Sequence, residues 1–297
     1  MGQERALMGI DIRITLTAFT VLAPAGALAF ALLAVLLIRQ RERAAWVERL
    51  EHWLVAPLAV CMIGLVASAT HLGTPSNALY VFNGWGRSPL SNEVTSALGF
   101  LVIAGAYWLA SFNGKLPLLL NRLWLGCSCL AALWLVARIS VVYAILTIPT
   151  WNSALVPPGL WALSLASAPL VTLATLAFAR RLGVELPLEA TPQRRYLRAL
   201  LCCATLALIV AVIFFCVQNG ELARIQNAFG TASELVPWYN AAIAAFGILG
   251  ALGIVVVALP ILRTGAPGVL SSTAGTILML SGAALIRVAF YSMHMTL

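Results

Sequence analysis

Residues 14–38, ITLTAFTVLAPAGALAFALLAVLLI, contain no charged side chain. A helix rises about 1.5 Å per residue, so roughly 20 such residues cross a hydrocarbon core of about 30 Å. The run is too long for the apolar part of a signal peptide and has no A-x-A cleavage site at its end, so we expect no cleaved leader. This segment therefore predicts a membrane-spanning helix.

The rest of the chain repeats this apolar pattern. Of its 297 residues, 62% are hydrophobic and only 9% are charged, and the mean hydropathy is +0.96, whereas soluble domains carry about 25% charged residues. We predict an all-α integral membrane protein, a bundle of eight transmembrane helices that forms a single transmembrane domain over residues 1–297. The predicted spans are 14–38, 54–72, 94–112, 123–148, 158–179, 197–217, 238–262 and 269–293.

The Lys and Arg residues predict the orientation of the bundle. Twelve of the 18 lie in loops that would share one face, at 39–53, 113–122, 180–198 and 263–268, and four lie on the other face. Because cytoplasmic loops are enriched in Lys and Arg, we expect both termini and the loop 73–93 on the periplasmic side of a bacterial inner membrane, which the chain crosses several times. This distribution also explains the net charge of +8, so nucleic-acid binding is not expected.

Two ionisable residues, His71 and Glu93, bracket the loop between the second and third spans. An ionisable group at membrane depth is costly and by default marks a functional site. Ser88 and Pro89 suit an N-cap and a first turn, which would place Glu93 about one turn inside the membrane boundary. Simpler roles also exist, because Glu93 could complement the helix dipole and His71 could bond to a loop carbonyl. We expect the pair to meet at the periplasmic end of the bundle.

Two arginines inside predicted spans, Arg138 and Arg287, are expected in the same outer half because their helices also run outward. Tyr291 and His294 follow Arg287 at i+4 and i+7, so the three share one helical face. Both arginines could instead be structural, pairing with carbonyls or snorkelling outward, and Tyr291 and His294 could anchor the helix in the headgroups. Because these polar side chains are expected at the same depth in the membrane, we favour a polar site that they share.

The segment HLGTP at 71–75, followed by GWGRSPLSNE at 84–93, resembles the membrane anchor subunit of dimethyl sulfoxide reductase. That family falls within a wider group that includes polysulfide reductase membrane subunits. Length, eight spans and an outward amino terminus fit the resemblance over the whole sequence, although only residues 71–93 carry a specific motif. The resemblance implies an anchor that binds and oxidises menaquinol or another quinol at His71 and Glu93. It also implies electron transport in anaerobic respiration with two partners, a molybdopterin catalytic subunit and a ferredoxin-like subunit with four iron–sulfur clusters.

On this basis the quinol site has an expected chemistry. Glu93 accepts a proton from one quinol hydroxyl, while His71 hydrogen-bonds the other oxygen and can also take a proton. This subunit itself would not reduce the final electron acceptor. Weaker candidates would stabilise the carboxylate, contact the quinol oxygens or pack the ring: Arg87, Arg138, Arg287, Tyr291, Tyr80 and Trp85.

We expect no haem, iron–sulfur cluster or other metal in this chain. A haem in a helical bundle usually needs two axial histidines, and the sequence has only His52, His71 and His294. His52 lies in a predicted cytoplasmic loop, and the other two would lie at the outer rim. None of the six cysteines forms a C-x-x-C pair. Electrons would then leave on the face that holds the quinol site, where the iron–sulfur partner must dock.

Two other functions remain open. A proton-coupled secondary transporter would also use intramembrane Glu and Arg. Transporters usually show internal repeats and polar sites near the midplane, whereas we find no repeat here and the polar groups gather at one edge. A purely structural anchor, whose polar edge docks its partner, is also compatible with these residues.

Overall fold

The computed structural model describes residues 2–40, 44–70, 75–114, 116–187, 191–228 and 230–295, and the chain is almost wholly helical over them. Its helices are, in chain order, α1 Gly2–Ile38, α2 Ala45–His52, α3 Val55–Ala69, α4 Pro89–Ser111, α5 Leu118–Val141, α6 Val156–Arg181, α7 Thr191–Leu222, α8 Ala232–Leu235, α9 Tyr239–Thr264 and α10 Val269–Ser292. A 3-10 helix covers Pro75–Gly84, and two short antiparallel strands, β1 Gln226–Asn227 and β2 Gly230–Thr231, pair between α7 and α9.

Within the described residues, eight helical segments are long and apolar enough to cross a membrane. Helices α2 and α3 together form one of these segments, Ala45–Ala69, and α8 is far too short to form one. The predicted all-α membrane fold with eight spans is therefore confirmed. The periplasmic location of both termini stays a prediction from the distribution of Lys and Arg.

Consecutive spans alternate in direction, so the bundle has two ends. Helices α4, α6 and α9 begin at one end, which we call the Glu93 end because Glu93 lies near the start of α4. Helices α2, α5 and α7 begin at the other end, which we call the Glu51 end because Glu51 lies in α2. Among the described residues, the predicted site residues Arg87, Glu93, Arg287 and Tyr291 lie toward the Glu93 end.

One predicted span ends much earlier than its hydropathy suggests. The fourth span was expected to reach residue 148, but α5 ends at Val141. The apolar residues that follow form turns instead, in which Ile148 N donates to Ile145 O at 2.9 Å and Trp151 N donates to Ile148 O at 2.9 Å. Pro149 disfavours the helical conformation at Ile148, so it accounts for the end of the predicted span but not for the earlier end of α5 at Val141.

Helices α1 and α7 are longer than predicted. Helix α1 begins at Gly2 rather than at residue 14, and α7 covers Thr191–Leu222 rather than 197–217. Hydropathy detects only the apolar part of a helix, whereas helical hydrogen bonds continue into the flanking polar residues. Pro192 in the first turn of α7 suits such a start, because its fixed φ is helical and the N–H it lacks would have no partner within the helix.

The central helices of the bundle are α1 and α6. Helix α1 packs against α3, α5, α6 and α10, while α6 also contacts α7 and α10. Small side chains fill the interior face of α1, where Ala23, Ala25, Ala27 and Ala29 are fully buried. Close packing of small residues is what holds helices together in a membrane, because lipid tails are as apolar as the side chains themselves.

At Gly26 the backbones of α1 and α3 are in direct contact. A Cβ atom on Gly26 would clash with the carbonyl oxygen of Pro57 and the backbone nitrogen of Cys61. Only a residue without a side chain fits there. By contrast, a Cβ atom on Gly105 in α4 would meet no atom within 4 Å.

A buried polar network joins α2, α4 and α5 at the Glu51 end. Asn121 Nδ2 donates a hydrogen bond to Glu51 Oε1 at 2.7 Å, and the Tyr107 hydroxyl donates to Asn121 Oδ1. Trp108 Nε1 adds a bond to the carbonyl oxygen of His52 at 2.9 Å. Because Glu51 is completely buried, the bond from Asn121 pairs its carboxylate. Together with the bond from Trp108 to His52, it fixes α2 against the bundle.

Gly26→Ala should lower the thermal unfolding temperature of the detergent-purified protein, because overpacking of a close contact costs about 1–3 kcal/mol. Gly105→Ala is the matched control, since it adds the same methyl group to a helix where nothing opposes it and gains about 1 kcal/mol of helix propensity. Unfolding can be followed by circular dichroism. A Gly26→Ala variant as stable as Gly105→Ala would contradict the close contact of α1 with α3.

Candidate functional site

Hydrogen bonds fix the chain just before α4. Ser88 has an extended backbone (φ −100°, ψ 128°), and its Oγ accepts a hydrogen bond from Ser91 N at 3.4 Å. Asn92 Oδ1 accepts a second bond from Gly86 N at 2.7 Å. The predicted N-cap at Ser88 is therefore confirmed, and Glu93 lies in the second turn of α4.

The 3-10 helix packs closely on the first turn of α4. A Cβ atom on Gly84 would clash with Ser91 Oγ, so glycine permits this contact. The larger apolar side chains of this loop point outward, and the exposed fraction is 77% for Leu79, 69% for Tyr80 and 71% for Trp85. Tyr80 and Trp85, the predicted ring-packing residues, thus lie on the surface of the Glu93 end.

The Glu93 side chain is only 4% exposed. Within the described part of the chain, its Oε2 atom is buried and has no hydrogen-bond partner. A buried carboxylate without compensation costs several kcal/mol, and native structures pair nearly all buried polar atoms. This oxygen therefore marks a place where the hydroxyl of a ligand can supply the missing hydrogen bond.

A second buried polar group, Arg287, lies at the same end of the bundle. Its Nε donates to Thr20 Oγ1 at 3.0 Å, and its Nη2 donates to the Tyr291 hydroxyl at 2.9 Å. The Tyr291 hydroxyl lies 3.1 Å from Thr20 Oγ1 and 2.7 Å from the Tyr143 hydroxyl, to which it donates. These four side chains, which we call the Arg287 network, connect α1 and α10 with the turn that follows α5.

Aromatic rings surround the Arg287 guanidinium. Its central carbon lies 4.2 Å from the ring centre of Phe290, 4.8 Å from that of Tyr291 and 5.3 Å from that of Tyr143. Trp151 stacks on Phe290 with the ring centres 5.5 Å apart and donates to the Phe290 carbonyl oxygen at 3.1 Å. Ring faces attract a desolvated cation by about 2 kcal/mol or more, so these rings stabilise the buried charge.

Tyr143 links the Arg287 network to Glu93. Burial raises the pKa of the Tyr143 hydroxyl well above its usual value; Tyr291 raises the pKa further, Arg287 lowers it, and the Glu93 carboxyl raises it. Tyr143 therefore lies within electrostatic range of both Arg287 and Glu93. Tyr143, which the sequence did not single out, thus joins two of the predicted site residues, Arg287 and Tyr291, in one hydrogen-bonded network, and Glu93 lies toward the same end of the bundle.

Arg138 is placed differently from the other predicted residues. Its guanidinium carbon lies 4.0 Å from the ring centre of Trp134, one turn earlier on α5, and Trp134 is 54% exposed. Among the described residues, no hydrogen bond or ring contact joins Arg138 to the Arg287 network. This geometry suits a cation that covers an aromatic ring on the surface of the bundle.

The remaining predicted residues lie at the rim of the Glu93 end. Arg87 is exposed in the turn before α4, and His294 is exposed after α10 with its ring centre 5.0 Å from that of Trp151. His71 lies outside the residues that the structure describes, so its meeting with Glu93 stays a prediction. Helix α3, which leads toward it, ends at Ala69.

Sequence analysis did not single out Tyr143, Thr20 or Trp151. Tyr143 lay inside a predicted span, and Thr20 is an uncharged hydroxyl in a strongly apolar one. Single hydroxyls are common in membrane helices, so they give little signal until their partners are known. The one usable hint was that Tyr143 lies five residues beyond Arg138, near the predicted outer face.

The histidines in the described ranges are far apart in the bundle. His52 stacks on Phe112 at the Glu51 end, with ring centres 4.1 Å apart and planes 3° from parallel, whereas His294 lies at the Glu93 end. Over the described ranges, no group of three His, Cys, Asp or Glu side chains could hold a metal ion. A haem-free protein stays an expectation.

Comparison with known proteins gives consistent matches over most of the sequence. The family model described as DMSO reductase anchor subunit (DmsC) matches residues 8–293. The C subunit of the anaerobic dimethyl sulfoxide reductase of Escherichia coli (strain K12) is 31% identical over 281 residues, covering 94% of this protein and 93% of the relative. The corresponding C subunit of Haemophilus influenzae is 33% identical over 240 residues, covering 80% of each protein.

A third relative, the YnfH subunit of an anaerobic dimethyl sulfoxide reductase of Escherichia coli (strain K12), is 32% identical over 234 residues, or 79% of this protein and 78% of the relative. The eight helices that are long and apolar enough to cross a membrane are consistent with these matches. Because the family model covers almost the whole sequence, this protein belongs to the DMSO reductase anchor subunit family.

Proposed function

We propose that this protein anchors a dimethyl sulfoxide reductase-type complex in a bacterial inner membrane and oxidises menaquinol or another quinol at the Glu93 end. The observation that carries the proposal is the buried Glu93 Oε2 without a partner in the described structure, at the same end of the bundle as the buried Arg287 network. A quinol presents two hydroxyls on an apolar ring, which matches a polar site at the end of a membrane bundle. Membership of the anchor family supports the same assignment.

Glu93 is the proton acceptor in this proposal. When a quinol hydroxyl donates to Glu93 Oε2, the O–H bond breaks and the proton passes to the carboxylate. His71 takes the second proton from the other quinol oxygen, since its reference pKa is about 6.5. The two electrons leave for the iron–sulfur partner subunit, and the quinone returns to the membrane.

The Arg287 network supports the quinol oxygens in this proposal. Arg287 donates to Tyr291, and Tyr291 donates to Tyr143, so the oxygen of Tyr143 already accepts a bond and its own proton is available for another acceptor. Successive donation from a cation polarises each following hydroxyl. Tyr143 would thus stabilise negative charge on a quinol oxygen as its proton leaves.

The exposed residues of the loop have a separate proposed role. Leu79, Tyr80 and Trp85 present apolar surface at the rim of the Glu93 end, where aromatic side chains favour the membrane interface. They would receive the quinol ring from the bilayer. Arg87, exposed beside them, would contact the quinol oxygens only if the loop closes over the site.

The partners follow from the family and from the location of the site. The relatives bear the names of dimethyl sulfoxide reductase subunits, so we propose a molybdopterin catalytic subunit and a ferredoxin-like subunit with four iron–sulfur clusters. Electrons pass most readily to an acceptor near the quinol. The iron–sulfur subunit would therefore dock on the Glu93 end, which the Lys and Arg distribution assigns to the periplasm.

Glu93→Gln should lower quinol-dependent reduction of dimethyl sulfoxide by at least about 100-fold, because it removes the base while keeping the shape of the side chain. The rate is measured in membranes that contain the whole complex, and a reduced viologen dye that bypasses the anchor confirms that the partner subunits remain active. Glu221→Gln is the matched control: Glu221 accepts a hydrogen bond from Ser153 at 2.8 Å, and a glutamine oxygen can still accept it.

His71→Ala should also slow quinol oxidation while dye-dependent reduction persists. The reason is the loss of the second proton acceptor. Full quinol-dependent rates in both His71→Ala and Glu93→Gln would place the quinol site elsewhere.

Tyr143→Phe should lower the quinol-dependent rate about 3- to 10-fold, because it removes one neutral hydrogen bond, which contributes about 0.5–1.5 kcal/mol. Tyr196→Phe is a matched control at the Glu51 end, where the Tyr196 hydroxyl donates to the carbonyl oxygen of Leu32 at 2.7 Å. Rates are compared after normalising to the amount of assembled complex. Equal losses of the quinol-dependent rate in the two variants would contradict a role of Tyr143 in the quinol site.

Arg287→Gln should lower the quinol-dependent rate about 10- to 100-fold, because a hydrogen bond to a charged group is worth about 1.5–3 kcal/mol. Arg138→Gln should change it much less, since Arg138 covers Trp134 on the surface of the bundle. Both variants remove one buried or half-buried positive charge, so assembly is measured for each by co-purification of the partner subunits. A larger loss of the quinol-dependent rate for Arg138→Gln would indicate that the quinol binds nearer to Arg138 on α5.

A further inference from the structure

A cavity of about 200 Å³ opens at the Glu51 end, between the first turns of α7 and the last turn of α9. Three arginines line it: Arg194 and Arg198 on α7 and Arg263 on α9. Arg194 and Arg198 are one turn apart and so share a face of the helix. The cavity is far from the Glu93 end and has no part in the proposed quinol chemistry.

Within the described residues, the three guanidinium groups have no protein partner. None of them makes a hydrogen bond or an ion pair to another residue in these parts of the sequence, and no acidic side chain lines the cavity. Like charges that share a small cavity repel one another. An anion that binds between them would remove this repulsion and supply the missing acceptors.

Capping of α9 does not account for the arginines. The Nε and Nη2 atoms of Arg194 lie 3.9 Å from the position that a Cβ atom on Gly265 would occupy, close to the end of that helix. At this end Gly265 N donates to Ile261 O at 3.0 Å, and over the described residues no arginine of the cavity donates to a carbonyl oxygen of α9. The guanidinium groups remain available to a ligand.

The rest of the cavity wall is apolar. Leu197 and Ile261 are buried behind the arginines, and Leu262 is 67% exposed on the surface of the bundle. A ligand held by the arginines would therefore touch hydrocarbon on one side. The volume is below the roughly 300–1,000 Å³ typical of sites for drug-sized molecules, so it suits a single phosphate group better than a whole nucleotide.

We infer that this cavity binds the headgroup phosphate of an anionic phospholipid, whose acyl tail lies along Leu262. Basic cavities between transmembrane helices bind such headgroups, and each Lys or Arg near the membrane surface contributes about 1 kcal/mol. The lipid would hold α7 and α9 together at their ends.

The test uses the full-length protein, delipidated in an uncharged detergent, and native mass spectrometry to measure binding of phosphatidylglycerol and of phosphatidylcholine. Phosphatidylglycerol should bind more tightly. The double variant Arg194→Gln/Arg198→Gln should bind it about 30-fold more weakly, which corresponds to two arginines at about 1 kcal/mol each. All of the substituted side chains are exposed, so the fold should not change.

The matched control is Arg180→Gln/Arg181→Gln, which removes two exposed charges from the end of α6 at the same Glu51 end. Its affinity for phosphatidylglycerol should stay within about 3-fold of the unmodified protein, since that is the loss expected from less than one arginine at 1 kcal/mol. Equal weakening in both double variants would mean that diffuse charge attracts the lipid, and the inference would fail. It would also fail if inorganic phosphate displaced the lipid at equal concentration, because the site would then bind free phosphate.

Discussion

Within the hydrocarbon layer no water can pair with a polar side chain, so each polar group must find its partner in the protein. Most hydroxyls of this bundle do so locally, by donating to a carbonyl one turn earlier: Ser164 to Leu160 O at 2.7 Å and Thr172 to Ala168 O at 2.9 Å. Such bonds require no second helix. A guanidinium or a carboxylate cannot be satisfied this way, because it carries a charge as well as several hydrogen-bonding atoms. The bundle therefore has to be arranged around each of these groups.

The two buried charged groups at the Glu93 end are treated differently. Arg287 donates hydrogen bonds to Thr20 and Tyr291, and three aromatic rings lie against its guanidinium. Its position is therefore fixed by α1, α10 and the turn after α5. Among the described residues, Glu93 Oε2 has no partner. The Glu93 end therefore combines a cation whose position is fixed with a carboxyl oxygen that lacks a partner, and in the proposed function a quinol hydroxyl would supply that partner.

The sequence predicts the features that depend on composition and misses those that depend on distant contacts. Eight spans follow from the length of the apolar runs, and Glu93, Arg287 and Tyr291 stand out as polar groups near their outer ends. The early end of α5 at Val141 is followed by local turns, which hydropathy does not detect. Thr20 is 267 positions from Arg287 in the sequence, and no local pattern connects them. Its role appears only when α1 and α10 pack together.

Helix α4 connects the two polar ends and also separates them. Glu93 lies near its start, and Tyr107, which belongs to the Glu51 network, lies near its end. The buried residues between them on α4 include Ala97, Phe100 and Ala104, and Ser96 donates back to the carbonyl oxygen of Asn92 at 2.6 Å. A proton moves through a protein along connected hydrogen-bonding groups, and the described part of α4 provides none across this apolar stretch. Helix α4 therefore offers Glu93 no side-chain route to the Glu51 end over the described residues.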